Sequence, residues 1–173
     1  EDVRAALGDL MRVDLVREGR RWPEPEYRFT HALIQETAYR TLVGGDRERL
    51  HRKVATWLEQ HHAGREAEVA GVLAYHWLGA RDEDQAIRYL SVAGDRARQE
   101  YALDEAIAYY RDLVPLLDGR GERHETALVL FKLALALHMS LRFAEANDAY
   151  QRAFDRWTPP SARPHDLDAE LRV

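Results

Sequence analysis

Along residues 2–13 the apolar positions Val3, Leu7, Leu10 and Met11 fall at helical spacing with polar residues between them, which predicts a short amphipathic helix. Two short runs rich in β-forming residues follow at 15–18 and 27–30, separated by the turn-rich stretch Gly19-Arg-Arg-Trp-Pro-Glu-Pro25. They read as a two-stranded hairpin. Its tip holds Pro23 and Pro25, which cannot donate to a sheet ladder, so the tip is expected to project as a loop. Thr30 is placed to cap the next helix and the Gly44-Gly45 pair to end it. Asp46 then caps a helix running to about Gln60, whose Leu50, Val54, Trp57 and Leu58 repeat at helical spacing. Helix, hairpin, helix, helix is the order within residues 1–61, and a hairpin directly after a helix is the part of a winged helix that follows its third helix, so on this reading the first two helices lie upstream of residue 1.

After Ala63-Gly64 the pattern is helical to about residue 157, with helices near 65–79, 83–99, 103–117, 122–139 and 143–157. Asp82 with Gln85 fits a reciprocal capping box, Gly119 and Gly121 fit a helix stop, and Pro115 is expected to kink or shorten the third of these helices. A repeat runs through this region. Leu130, Leu133, Ala134, Leu137, Phe143, Ala146, Tyr150 and Ala153 fall at the small and large apolar positions of the 34-residue tetratricopeptide pattern. Leu73, Ala74, Trp77, Ala86, Leu90 and Ala93 keep the same register. Between them Ala106, Tyr110 and Leu113 return 20 residues after Ala86, so the helix holding Ala93-Gly94 serves two neighbours in an irregular array. The fold class expected is therefore all-α: a partial winged helix with a small β-hairpin at 1–63, then tetratricopeptide-like helices at 64–157. Residues 158–173 carry three prolines and read as a linker towards a further domain.

Composition narrows the chemistry. The chain of 173 residues is 46% hydrophobic and contains no cysteine, which excludes a disulfide scaffold, thiolate metal sites and cysteine nucleophiles. Its longest apolar run, residues 128–137, is broken by Lys132 and is far short of the roughly 20 residues that span a bilayer. A net charge of −5 argues against a protein built chiefly to neutralise phosphates. The first residues read as the middle of a helix, without an apolar signal segment, so a piece of a larger cytoplasmic protein is expected.

The stretch Tyr27-Arg-Phe-Thr-His-Ala-Leu-Ile-Gln-Glu-Thr-Ala-Tyr-Arg-Thr-Leu42, followed by Arg49-Leu-His-Arg-Lys-Val-Ala-Thr-Trp-Leu-Glu59, carries a resemblance. It resembles the segment after the nucleotide-binding domain in bacterial STAND ATPases (signal-transducing ATPases with numerous domains), including LuxR-type regulators and cyclase-linked ATPase modules. There the segment closes a winged helix and leads into tetratricopeptide-like helices. The resemblance implies a parent protein that binds ATP and ADP as a switch, an upstream nucleotide-binding domain as partner, and helices that receive an inducer, protein or peptide. Relatives in eukaryotic immunity and apoptosis carry Met-His-Asp at the matching strand-to-helix junction, where the His contacts ADP phosphates. Here the junction reads Thr30-His31-Ala32, and His31 is the one nucleotide-contact residue carried over. A helix start also favours an anion on its own account. The chain holds no Gly-x-x-x-x-Gly-Lys-Ser/Thr loop, and Lys53 and Lys132 are its only lysines, so by the family's route no catalysis is expected from it.

Other constellations were weighed on the same terms. Arg4, Arg12, Arg17, Arg20, Arg21 and Arg28 suggest a DNA-contacting winged helix with a helical dimerisation extension, the second reading. Yet residues 1–63 hold 11 Arg+Lys against 11 Asp+Glu, and the basic footprint is missing. His51, His61, His62 and His76 lack metal-ligand spacing and read as helix-end histidines, so no metal is expected. The inner face of the array would present Glu68, Tyr75 and Leu78, then Leu128, Phe131, Leu135, His138 and Met139. Of these, Tyr75, Leu78, Phe131, Leu135, His138 and Met139 are the candidate partner-binding residues, because Met and aromatic side chains adapt to a partner helix or peptide.

Overall fold

The computed structural model describes residues 3–20 and 25–157, and the hairpin tip at 21–24 and the expected linker at 158–173 lie outside the described residues. The fold is all-α with one small antiparallel hairpin. In chain order the elements are α1 (Val3–Arg12), β1 (Val16–Arg20), β2 (Glu26–Phe29), α2 (Ala32–Thr41), α3 (Gly44–His61), α4 (Ala70–Gly79), α5 (Glu83–Gln99), α6 (Leu103–Arg120), α7 (Arg123–Met139) and α8 (Phe143–Trp157). A single 3-10 turn, Glu66–Val69, leads into α4 where sequence periodicity predicts α-helix from residue 65. Among the described residues no helix is long and apolar enough to cross a membrane.

Two compact units result, Glu1–Arg49 and Leu50–Val173, so the division falls inside α3 and earlier than the break at residues 63–64. The physical reason lies in the second half of α3, where His51 and Ala55 are buried and Glu59 binds side chains of α4 and α5. In the first unit β1 pairs with β2 in the register Val16↔Phe29, Arg17↔Arg28 and Glu18↔Tyr27, with an irregularity next to Gly19. Val16 is the one buried side chain of that unit among the described residues. α1 and α2 bury none: Val3 and Leu33 on them are 70 and 75% exposed, and Val43, in the connection between α2 and α3, is 74% exposed.

Several local expectations are corrected here. Thr30 does not cap α2: the N-cap is His31, and the Thr30 Oγ1 atom is buried without a hydrogen bond. The Gly44-Gly45 pair starts α3 instead of ending α2, which stops at Thr41, and Asp46 sits in the first turn of α3 and pairs with Arg49 at 2.8 Å. A glycine pair allows either role, and the dipole at a helix start favours the carboxylate there. Asp82 caps α5 by accepting from the Gln85 amide at 3.3 Å, but Gln85 Oε1 is buried without a partner, so half of the capping box forms. Pro115 does not shorten α6, which continues to Arg120. Leu113, Val114 and Leu117 around it are all buried, and their packing outweighs the one hydrogen bond that proline removes.

The second unit is built on a strict period. α5, α6, α7 and α8 begin at Glu83, Leu103, Arg123 and Phe143, each 20 residues after the last. Every preceding turn holds a left-handed residue at the same step: Arg81, Tyr101, Gly121 and Leu141, with φ between 53° and 72°. The following amide closes the turn on the carbonyl five residues back, from Asp82 to Trp77, Ala102 to Ala97, Glu122 to Leu117 and Arg142 to Leu137, at 2.8–3.2 Å. These are four Schellman stops. Glycine takes this conformation freely and occupies one of the four, so the other three hold the turn against the steric cost of a side chain. Each helix packs against the next, and their facing stripes form one core of Leu, Ala, Tyr, Trp and Val side chains.

Candidate functional site

His31 sits at the junction of β2 and α2 as expected, one step earlier than the first helical turn. It is exposed, has extended backbone at φ −136°, and makes no side-chain capping bond. Its carbonyl accepts the Ile34 amide at 3.0 Å, which begins the helix. Arginines of the same unit are engaged locally. Arg12 pairs with Asp9 at 2.9 Å, Arg17 forks onto Asp14 at 3.0 and 3.1 Å, and Arg28 reaches Glu26 at 2.7 Å. The Arg17 guanidinium holds the Asp14 carboxyl below its ordinary range. Charges of both signs thus alternate over short distances among these residues.

The six residues proposed for the inner face do not share one site. Tyr75, 59% exposed on α4, lies edge-on to the rings of His51 and His76 and lines a hollow of about 390 Å³ with Glu68, Val72 and Tyr109. Leu78 is half-buried and packs against the core. Phe131 lines an apolar cleft of about 420 Å³ between α7 and α8, with Leu128 beside it and Tyr150, Phe154 and Trp157 opposite; its ring meets Tyr150 edge-on at 5.6 Å. Leu135 is half-buried, and His138 and Met139 are exposed at the end of α7, where His138 meets Phe143 at 5.3 Å. The structure therefore joins Phe131 to aromatic residues of α8 that sequence reading had not grouped with it. The signal was present, since Tyr150, Phe154 and Trp157 are spaced four and three apart along one edge.

Three polar constellations fasten the helices. Glu59 accepts from Trp77 Nε1 at 3.2 Å and from the Tyr89 hydroxyl at 2.8 Å, and burial, reinforced by that carboxylate, pushes the Tyr89 phenol up to about 12. Asp95 accepts from the Tyr110 hydroxyl at 2.7 Å and from Lys132 at 2.8 Å, which links α5, α6 and α7 through one carboxylate. Burial and Asp95 together raise the Tyr110 phenol far above its ordinary value. The third pair is His51 and His76, whose Nδ1 atoms lie 3.1 Å apart. His51 is buried in the middle of α3, so its reading as a helix-end histidine is corrected, while His61 stacks on Trp57 at 4.7 Å. Among the described residues no group of three His, Cys, Asp or Glu side chains is arranged to hold a metal ion.

A contact between two Nδ1 atoms needs one protonated donor and one bare acceptor, so a second proton breaks it. Burial and then the neighbouring His51 lower the pKa of His76 from its ordinary 6.5. The unfolded chain thus binds the proton at a higher pH than the folded one, and stability is lost as pH falls through 6.5 towards the lower folded value. The melting temperature is expected to be level above pH 7.5 and to fall between pH 7 and 5, and a His76→Gln chain is expected to show a smaller fall, which thermal denaturation across that range measures.

No known protein family matches the chain, and no solved structure matches it. It is similar to an uncharacterized protein of Rhizobium meliloti, 31% identical over 109 residues. That match takes in 63% of this chain and 10% of the relative, so the chain spans a small part of a much longer protein that it resembles.

Proposed function

We propose that this chain is a non-catalytic regulatory segment of a larger cytoplasmic STAND-type ATPase, coupling the nucleotide state of an upstream domain to partner sensing by the helices. The observation that carries the reading is the composition of the first unit. α1 and α2 bury no side chain, Val3 and Leu33 on them and Val43 in the α2–α3 connection are largely exposed, and Val16 is the unit's one buried residue among those described. We read these exposed apolar residues as part of a surface that meets another protein. In this reading the other surface is the nucleotide-binding domain, with ADP phosphates at His31. The helical series then offers the hollow beside Tyr75 and Tyr109 to a protein or peptide partner. The two nucleotide states would differ in how they hold the first unit, and a partner that favours one of them would shift the switch.

Leu33→Asp separates this reading from a free-standing unit. The residue is 75% exposed, so the 173-residue chain is expected to keep its melting temperature within about 1 °C, as surface substitutions do. In the parent ATPase the same change is expected to speed ADP release about tenfold, equivalent to about 1.4 kcal/mol lost from the closed state. Unchanged release from a folded parent would contradict a docked first unit.

A further inference from the structure

Helices α4 and α6 both pack on α5, and a furrow runs between them over the end of α5. Its floor is made of small residues: Ala93 and Ala97 of α5 are buried, and Gly71 of α4 has no side chain. Tyr109 of α6 leans into the space this leaves, its hydroxyl standing where a Cβ at residue 71 would need room. Two hollows share Glu68, Gly71 and Tyr109 as lining, one of about 210 Å³ above the alanines and one of about 390 Å³ that continues to Tyr75. Together they make one open channel walled by two tyrosines. Its charges do not balance. Among the described residues that line it Arg96 is the one cation, and it is held by Glu100 at 2.7 Å and by the Ala67 carbonyl at 2.9 Å. Glu68 and Glu105 are left, one just ahead of α4 and the other in the first turn of α6. Arg65 lies 4.0 Å from Glu68 with both side chains more than half exposed, a pair worth little in water. Glu105 bears on Tyr109, whose phenol is raised above its ordinary value by burial and then by that carboxylate. A helix start suits each carboxylate singly, but two of them on one channel beside two aromatic rings also suit a cation.

We propose that this furrow takes an arginine-bearing extended segment of a partner protein, the guanidinium pairing with Glu68 and Glu105 and lying against the rings of Tyr75 and Tyr109. The inference rests on the reading that the hollow beside Tyr75 and Tyr109 receives a partner, and it names that partner's chemistry. Arginine suits the lining better than lysine. Its planar guanidinium stacks on an aromatic face and forks two N–H groups onto a carboxylate, and it is more weakly hydrated than an ammonium. The floor favours a peptide, because alanines and a glycine let a second backbone approach α5 closely. The cleft beside Phe131 suits a different occupant. None of its lining residues is charged, so an arginine there would lose its hydration without gaining a carboxylate.

The test is fluorescence anisotropy of the 173-residue chain with a labelled peptide of alternating arginine and alanine, and with the same peptide carrying citrulline, which keeps the planar shape without the charge. Wild type is expected to bind the arginine peptide about tenfold more tightly than the citrulline one, and Glu68→Gln/Glu105→Gln to lose that preference. Both carboxylates are exposed, so the variant is expected to fold, which its melting temperature checks. Glu125→Gln/Asp148→Asn removes the same charge from exposed positions on α7 and α8 and is expected to keep the preference. An equal loss in that distant pair overturns the proposal and assigns the binding to the overall negative charge. Equal behaviour of the two peptides with wild type overturns it as well. No nucleotide takes part, so the result is separate from ADP release: a failed channel leaves the docked first unit standing, and unchanged release leaves the channel standing.

Discussion

Gly94→Ala is expected to destabilise the helical unit by about 2 kcal/mol, although alanine is the better helix former by about 1 kcal/mol in a helix interior. A Cβ at residue 94 would lie 2.6 Å from Tyr110 Cε1 and 2.9 Å from Cδ1, ring atoms of a side chain with no exposed surface. The ring cannot swing aside without breaking its 2.7 Å bond to Asp95, so α5 and α6 must separate. Overpacking thereby outweighs propensity, and a melting temperature lowered by roughly 4–8 °C is expected for a chain of this size. The control is Gly119→Ala, where no atom lies within 4 Å of the added carbon and α6 gains a better helix former. A destabilised Gly94→Ala beside a neutral or stabilised Gly119→Ala would establish that close approach of the helices, and not glycine flexibility, is what residue 94 provides.

Asp95→Ala is expected to have a comparable effect by a different route. It leaves the Tyr110 hydroxyl without its acceptor inside the core, at a cost of about 1–3 kcal/mol for a buried unpaired donor. Loss of the Lys132 contact adds little, because that amine and the carboxylate are each about a third exposed and water replaces the partner. Tyr110→Phe removes both the donor and its need, so the double variant Asp95→Ala/Tyr110→Phe is expected to be less destabilised than the two single effects added together. A coupling of about 1 kcal/mol in a denaturant double-mutant cycle would measure the link, and strict additivity would dissolve it.

What was legible in the sequence follows from the range of each interaction. Helices α5 and α8 were readable to their ends because their amphipathic stripes are continuous and a capping aspartate precedes α5. The return of Ala106, Tyr110 and Leu113 after 20 residues announced the period, and Ala93-Gly94 announced a helix with two neighbours, which α5 is. Local signs with two physical meanings misled: a glycine pair starts α3, Pro115 rides inside α6, and Thr30 turns inward with its hydroxyl unpaired. His51 with His76, Glu59 with Trp77 and Tyr89, and Asp95 with Lys132 join residues 18–37 positions apart, and nothing in local spacing forecasts such pairs. The inner-face residues divided for a related reason. A helix periodicity names a face, but which neighbour covers it depends on packing, and Leu78 went to the core while Tyr75 stayed at the surface.

The central proposal, that this chain is a regulatory segment whose His31 contacts nucleotide, is tested most directly by calorimetry of ADP binding to a longer chain that includes the proposed upstream nucleotide-binding domain, wild type against His31→Ala. The side chain is exposed and makes no capping bond, so its removal is not expected to disturb the fold. The account predicts a loss of affinity of about tenfold, roughly 1.4 kcal/mol. Equal affinity in a folded variant would contradict it and leave His31 a surface residue at the start of a helix.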